Sequence, residues 1–214
     1  MHWKRHWFKK FKKETLLAMK KKRATIRAKI VKPVRLSPAG RKQMGITPRI
    51  RKYVAGFKAK SKIELAKKIV ADIASFKKVA LPIEEAKSKW AKRSADGVIK
   101  TRNIYTMIAK EAAKTRKPSI LGCSDYAEAV TSCLRAAGFQ ALILRMGTHT
   151  KTKFLYRKQV WFADATDNRR AKVRQMDTAD KRVEEVLRKK GKYAEGASLA
   201  QIGIKSYDDF RKYY

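Results

Sequence analysis

The sequence predicts an α+β domain behind a basic, helical N-terminal extension, and three observations carry that reading. Helix-forming spacing dominates the first two thirds of the chain, and short apolar runs suited to strands follow it. That order, helices and then a hairpin-connected antiparallel sheet, is the α+β pattern. Cys123, Ala127, Val130 and Leu134 then form one stripe of a buried helix immediately before the first strand-like run. Finally, the charge is uneven. Residues 1–60 hold twenty-one Lys and Arg against one acid, Glu14, while the other 154 residues hold thirty-four against seventeen.

In chain order, residues 1–31 are helix-forming, with Trp3, Trp7 and Phe11 at i, i+4, i+8 on one face among lysines. Such a face suits docking on the domain or anchoring to nucleic acid or a membrane surface. Residues 32–60 contain Pro33, Pro38, Gly40, Gly45, Pro48 and Gly56 and read as a loop-rich linker. Ser61 with Glu64 three residues later reads as a capping box, opening a helix to about Lys78. Pro82 opens a second helix to about Ala95, and a third covers roughly 103–115, ended by Pro118. The Cys123 helix begins at Gly122 and stops at Gly138, a C′ glycine. Strands are expected at 139–145, 152–156 and 159–163, with Arg157-Lys158 as the turn between the last two. A charged helix at about 178–190 and a segment at 202–214 complete the chain. The organisation expected is a basic arm and linker over 1–60 and a domain over 61–214, with its core at 95–210.

With 214 residues, 44% of them hydrophobic, the chain can bury one domain plus an appendage but not two large domains. A formal net charge of +37 implies a polyanionic partner. Nucleic acid reached through residues 1–60 is the first candidate, an anionic membrane surface the second. No apolar run reaches the length of about eighteen residues that a membrane span needs. The N-terminus lacks the apolar core of a secretory signal, although it shares an acid-poor, basic composition with organellar transit peptides. Cys123 and Cys133, ten residues apart on one helix, would stand about 15 Å apart, too far for a disulfide. A reduced, intracellular, cytoplasmic protein is expected.

Cys123 follows Gly122 at a helix start, where free N–H groups and the helix dipole favour a thiolate. Cys133, mid-helix, reads as a small buried hydrophobe. His149 is the one histidine outside the basic arm, and Asp164 ends the strand that follows it. Alone, each has an ordinary reading: a core thiol, a surface histidine, a turn aspartate. A thiol at a helix start, a base on one strand and an acid on the next are together what thiol catalysis requires. Asp167 is the alternative acid. Two cysteines and one such histidine do not make a zinc site, so neither metal nor cofactor is expected.

The wording of these segments is also familiar. Gly122-Cys123-Ser124-Asp125-Tyr126-Ala127, followed by Leu134-Arg135-Ala136-Ala137-Gly138, resembles the nucleophile helix of the transglutaminase-like superfamily. There G-C-[ST]-D-Y-A leads into L-R-A-x-G. His149 and, fifteen residues on, Trp161-Phe162-Ala163-Asp164-Ala165-Thr166 resemble its second and third motifs, with Ala165 where the pattern has proline. Thr150-Lys151-Thr152-Lys153 replace the usual aromatic after the histidine, and the segment between Asp96 and Gly122 is longer than usual. Arg93-Ser94-Ala95-Asp96-Gly97-Val98-Ile99-Lys100 resembles the lead-in, and Ile202-Gly203-Ile204-Lys205-Ser206-Tyr207-Asp208-Asp209-Phe210 the tail of microbial members. The resemblance covers about 120 of the 214 residues.

It implies a papain-like fold and acyl transfer on a protein or peptide substrate. Cys123 would be the nucleophile, His149 the base and acid, and Asp164 the residue orienting the imidazole. The Cys123 backbone N–H would be one oxyanion donor, with Tyr105 and Asn103 as candidates for the second. Hydrolysis, by a peptidase or amidase, is expected ahead of transamidation. The alternative is a weak or inactive thiol-protease-like fold that binds nucleic acid through its basic surface.

Overall fold

The computed structural model describes residues 38–90, 92–114, 121–166 and 172–209. The expected helix at 1–31, the alternative acid Asp167 and the last five residues lie outside them.

The first described elements correct the linker reading. Helices α1 (Pro38–Met44) and α2 (Pro48–Ala55) occupy it. Pro48 stands in the first helical turn, where its missing N–H costs nothing, and the Thr47 hydroxyl accepts from the Ile50 N–H at 3.2 Å. The prolines and glycines do punctuate the chain, but they mark the ends of two short helices. Met44, Ile50 and Val54 are buried in the core, so this segment belongs to the folded domain.

Helix α3 (Lys62–Ala74) is capped by Ser61, whose hydroxyl accepts from the Glu64 N–H. The Glu64 carboxylate reaches back one residue further than a capping box requires, to the Lys60 N–H at 2.8 Å. The helix stops short of Lys78 because strand β1 (Lys77–Leu81) follows. Next come α4 (Ile83–Trp90) and α5 (Ala95–Thr101), the latter capped by Ser94 and ended by Arg102 at φ 52°. Residues 103–115, expected as one helix, are instead strand β2 (Asn103–Met107) and the short α6 (Ala109–Lys114). β2 pairs with β1 in parallel, Lys77 opposite Asn103 and Leu81 opposite Met107. Ile104-Tyr105-Thr106 suits a strand, and its partner lies across a helical crossover, which local periodicity does not reveal.

Helix α7 (Leu121–Ala136) carries Cys123, and Gly138 after it takes φ 80°, as a C′ glycine does. A five-stranded antiparallel sheet follows, ordered β6-β5-β4-β3-β7. Its strands are β3 (Gln140–Met146), β4 (His149–Tyr156), β5 (Gln159–Asp164), β6 (Lys172–Gln175) and β7 (Tyr193–Gly196). Arg157 and Lys158 both adopt positive φ, the backbone of a two-residue hairpin turn. Helix α8 (Thr178–Lys189) carries an Asp177/Asp180 capping box and links β6 to β7. The two four-residue strands were not expected from the sequence.

The architecture is thus α+β with an antiparallel sheet and a small parallel pair. α7 lies between them: Tyr126, Ala129, Val130, Cys133 and Leu134 pack with α2, α3, α5, β4 and β5 in one cluster. Cys123 and Ala127 pack in a second. None of the described helices is long and apolar enough to cross a membrane.

If α2 is core rather than linker, Ile50→Ala should lower the unfolding free energy by about 2–5 kcal/mol, read by urea denaturation. A change within about 0.5 kcal/mol would fit a surface segment instead.

Candidate active site

The site is built at the first turn of α7. Gly122 lets the helix approach β2 closely there. A Cβ on it would lie 3.3 Å from Thr106 Cγ2 and 3.6 Å from the Tyr105 carbonyl oxygen. The next residue, Cys123, is buried at 5% exposure among Met107, Ile143, Leu199, Ile202 and Ile204. Ile202, Ile204 and Tyr207 of the tail belong to the same buried cluster. Cys123 is the third residue of the described helix, within its first turn.

β4 is pinned to this helix by hydroxyls. Thr152 Oγ1 lies 2.9 Å from Thr131 Oγ1 and donates to the Ala127 carbonyl at 3.3 Å, all within the buried interior. His149, three residues before Thr152, opens the strand. Its ring hydrogen-bonds to the Cys123 thiol on one side. On the other, Nε2 lies 2.6 Å from Asp164 Oδ2. Asp164 ends β5, one residue past the last described β4–β5 pair on that side, Thr152 with Ala163. Its second oxygen accepts the Thr166 N–H at 3.1 Å. Cys123, His149 and Asp164 therefore form one line of contacts, with Nδ1 the ring nitrogen left for the thiol.

The electrostatics follow that line. Burial opposes charge on His149, but the hydrogen bonds to Asp164 and Cys123 outweigh it and raise the imidazole to about 10. Burial likewise works against the Asp164 carboxylate, and the bonds from His149 and Thr166 hold it below the usual range. The arrangement favours an imidazolium at neutral pH. Because the folded value lies above the unfolded one of about 6.5, this charge stabilises the fold fully below that pH. The contribution is lost as pH rises through about 10. Cys133 differs in kind: wholly buried, its thiol is pushed up by desolvation and by Asp72, as a core cysteine should be.

Of the two candidate oxyanion donors, Tyr105 packs half-buried against the cluster that holds Cys123, with Lys89 Nζ 5.1 Å from its ring centre. Asn103 opens β2 opposite Lys77 and gives its N–H to the Thr101 hydroxyl.

The sequence motifs give no role to Arg93, Asp125 or Glu128. In the fold they form a buried ionic trio under the first turns of α7. Arg93 Nη2 stands 2.7 Å from Asp125 Oδ1 and 3.1 Å from Glu128 Oε2, and all three side chains are almost fully buried. The guanidinium also stacks 4.5 Å from the Trp90 ring centre. Desolvation pushes Asp125 up to about 7, opposed by Arg93 and reinforced by the Glu128 charge. The Arg93 charge is near enough to interact with a Cys123 thiolate as well. The signal available was the i, i+3 pair of acids flanking the apolar stripe of the helix, which could not be buried without a cation.

No family model matches the chain, and neither the curated proteins nor the solved structures compared with it give a match.

Removing Arg93 strands two buried carboxylates. Arg93→Met should cost about 3–5 kcal/mol, and adding Asp125→Asn and Glu128→Gln should return most of that loss. Thermal unfolding of the single and triple variants measures this. Equal destabilisation of both would mean that packing, not charge, holds the trio.

Proposed function

We propose that this chain is a cysteine acyl-transfer enzyme of the transglutaminase-like type, acting as a peptidase or amidase through Cys123, His149 and Asp164. One observation carries the reading: thiol, imidazole and carboxylate stand in an unbroken line of hydrogen bonds at the start of a buried helix. The motifs around Cys123 and Asp164 point the same way.

In this reading the Cys123 thiolate attacks a carboxamide carbon, and the carbonyl electron pair moves to oxygen. That oxyanion is received by the Cys123 N–H at the helix start. The His149 imidazolium gives its proton to the leaving nitrogen, the C–N bond breaks, and a thioester remains on Cys123. Neutral His149 then takes a proton from water as the water oxygen attacks the thioester. Collapse breaks the C–S bond, releases the acid and restores the thiolate–imidazolium pair. Asp164 keeps the ring oriented and offsets its charge throughout. An amine in place of water would give transamidation by the same steps.

The second reading, a binding module on an inactive thiol fold, is favoured by the +37 net charge. It does not explain why three residues from two strands and a helix meet in catalytic order. The two readings separate in alkylation by iodoacetamide.

Cys123 should be alkylated faster than the wholly buried Cys133 at neutral pH. Cys123→Ala should abolish both labelling and amide hydrolysis, whereas Cys133→Ala should keep most of each. Hydrolysis should fall as pH rises through about 10, where His149 loses the proton that the leaving nitrogen needs. Equal loss from the two cysteine variants, or Cys123 alkylation no faster than that of Cys133, would count against the assignment.

A further inference from the structure

Residues 38–78 hold twelve Lys and Arg and two acids, a net +10 in 41 residues, against +14 in the 136 that follow. The fold turns this excess outward. α2 buries Ile50 and Val54 and exposes Arg51 and Lys52; α3 buries Ala66, Ile69, Val70 and Ile73 and exposes Lys67 and Lys68. Tyr53 on α2 donates to Asp72 on α3 at 2.6 Å, and Lys68 Nζ donates to the Lys58 carbonyl at 2.7 Å. The two helices and the exposed Lys58 and Lys60 between them therefore form one surface.

The two acids do little to neutralise it. Glu64 pairs with Lys68 at 3.0 Å, and Asp72 is occupied by Arg102 and Tyr53. Nothing in this segment offers an apolar wedge. The exposed large hydrophobics among the described residues are Ile108, Val183 and Val186, all elsewhere. A peripheral membrane helix needs such residues beside its charges. Nor is there a stacking platform for unpaired bases, because Tyr53 and Phe57 pack against the core. What remains is a dense set of flexible cations on a helical surface, which matches the phosphate backbone of a duplex.

We propose that the solvent side of α2 and α3 is a sequence-independent docking surface for double-stranded nucleic acid. Its Lys62 end lies beyond the C-terminal end of α7, where Lys62 Nζ stands 5.6 Å from the Phe139 ring centre. From Cys123 to Ala136 at the end of α7 the helix rises about 20 Å. A bound duplex would leave the thiol open. The surface does not depend on the chain being an enzyme.

Because α1 and α2 are core, a chain starting near Ser61 would lose Met44, Ile50 and Val54, so the test uses the full chain. The probe is a labelled mixed-sequence 20-base-pair duplex, titrated at several salt concentrations. The variant Arg51→Gln/Lys52→Gln/Lys67→Gln should bind at least about tenfold more weakly at 0.1 M salt, with a log–log salt slope shallower by about 2 to 3. A control losing equal charge on α8 and its C-cap, Lys181→Gln/Arg182→Gln/Lys190→Gln, should bind nearly as the parent does. Cys123 alkylation should be unchanged in both, which separates failure here from failure of the enzyme assignment. Equal weakening in the two variants would mean diffuse charge and overturn the proposal. So would an unchanged slope in the first variant, or tighter binding to vesicles of 30 mol% anionic lipid than to the duplex.

Discussion

Gly122 packs closely against strand β2, where a Cβ would press on Thr106 Cγ2 at 3.3 Å, and that close approach ties the first turn of α7 to the strand. The rest of the site is referred to it. Asp125, one residue beyond the thiol-bearing turn's Ser124, meets the Tyr105 backbone N–H and the Arg93 guanidinium. Thr152 ties β4 to the same helix through Ala127 and Thr131. With helix and strand both located, His149 has little freedom but to stand between Cys123 and Asp164.

The charges around this turn oppose one another. Above the trio lie a thiol and an imidazolium, and within it two carboxylates share one guanidinium. Burying so many ionisable groups has a high desolvation cost unless each finds a partner. The structure supplies those partners across elements: Arg93 precedes α5, the acids lie on α7, His149 is on β4 and Asp164 on β5. Local opening of any of these would leave charge unpaired. The same electrostatics that would prepare a thiolate thereby discourage fraying of the turn that holds it.

Much of the site was legible because its chemistry is written in short segments. Cys123 sits beside the glycine that places it, and His149 and Asp164 bracket one hairpin whose turn residues, Arg157 and Lys158, are adjacent in the chain. The parallel pairing of β1 with β2 was not legible, since it joins residues separated by two helices. Residues 38–55 misled for another reason. Helices of seven and eight residues are too short to show a period, and their boundary prolines and glycines resemble those of a loop. Arg93 was visible but mute: its role exists only once Asp125 and Glu128 are turned toward it.

The central claim is that His149 is held charged between Cys123 and Asp164. ¹⁵N chemical shifts of the His149 ring, followed against pH in the full chain and in Cys123→Ala, test it most directly. The account predicts an imidazolium through neutral pH with a midpoint near 10, and a lower midpoint once the thiol is gone. A ring that titrates at the ordinary histidine value of about 6.5 in both proteins would contradict it.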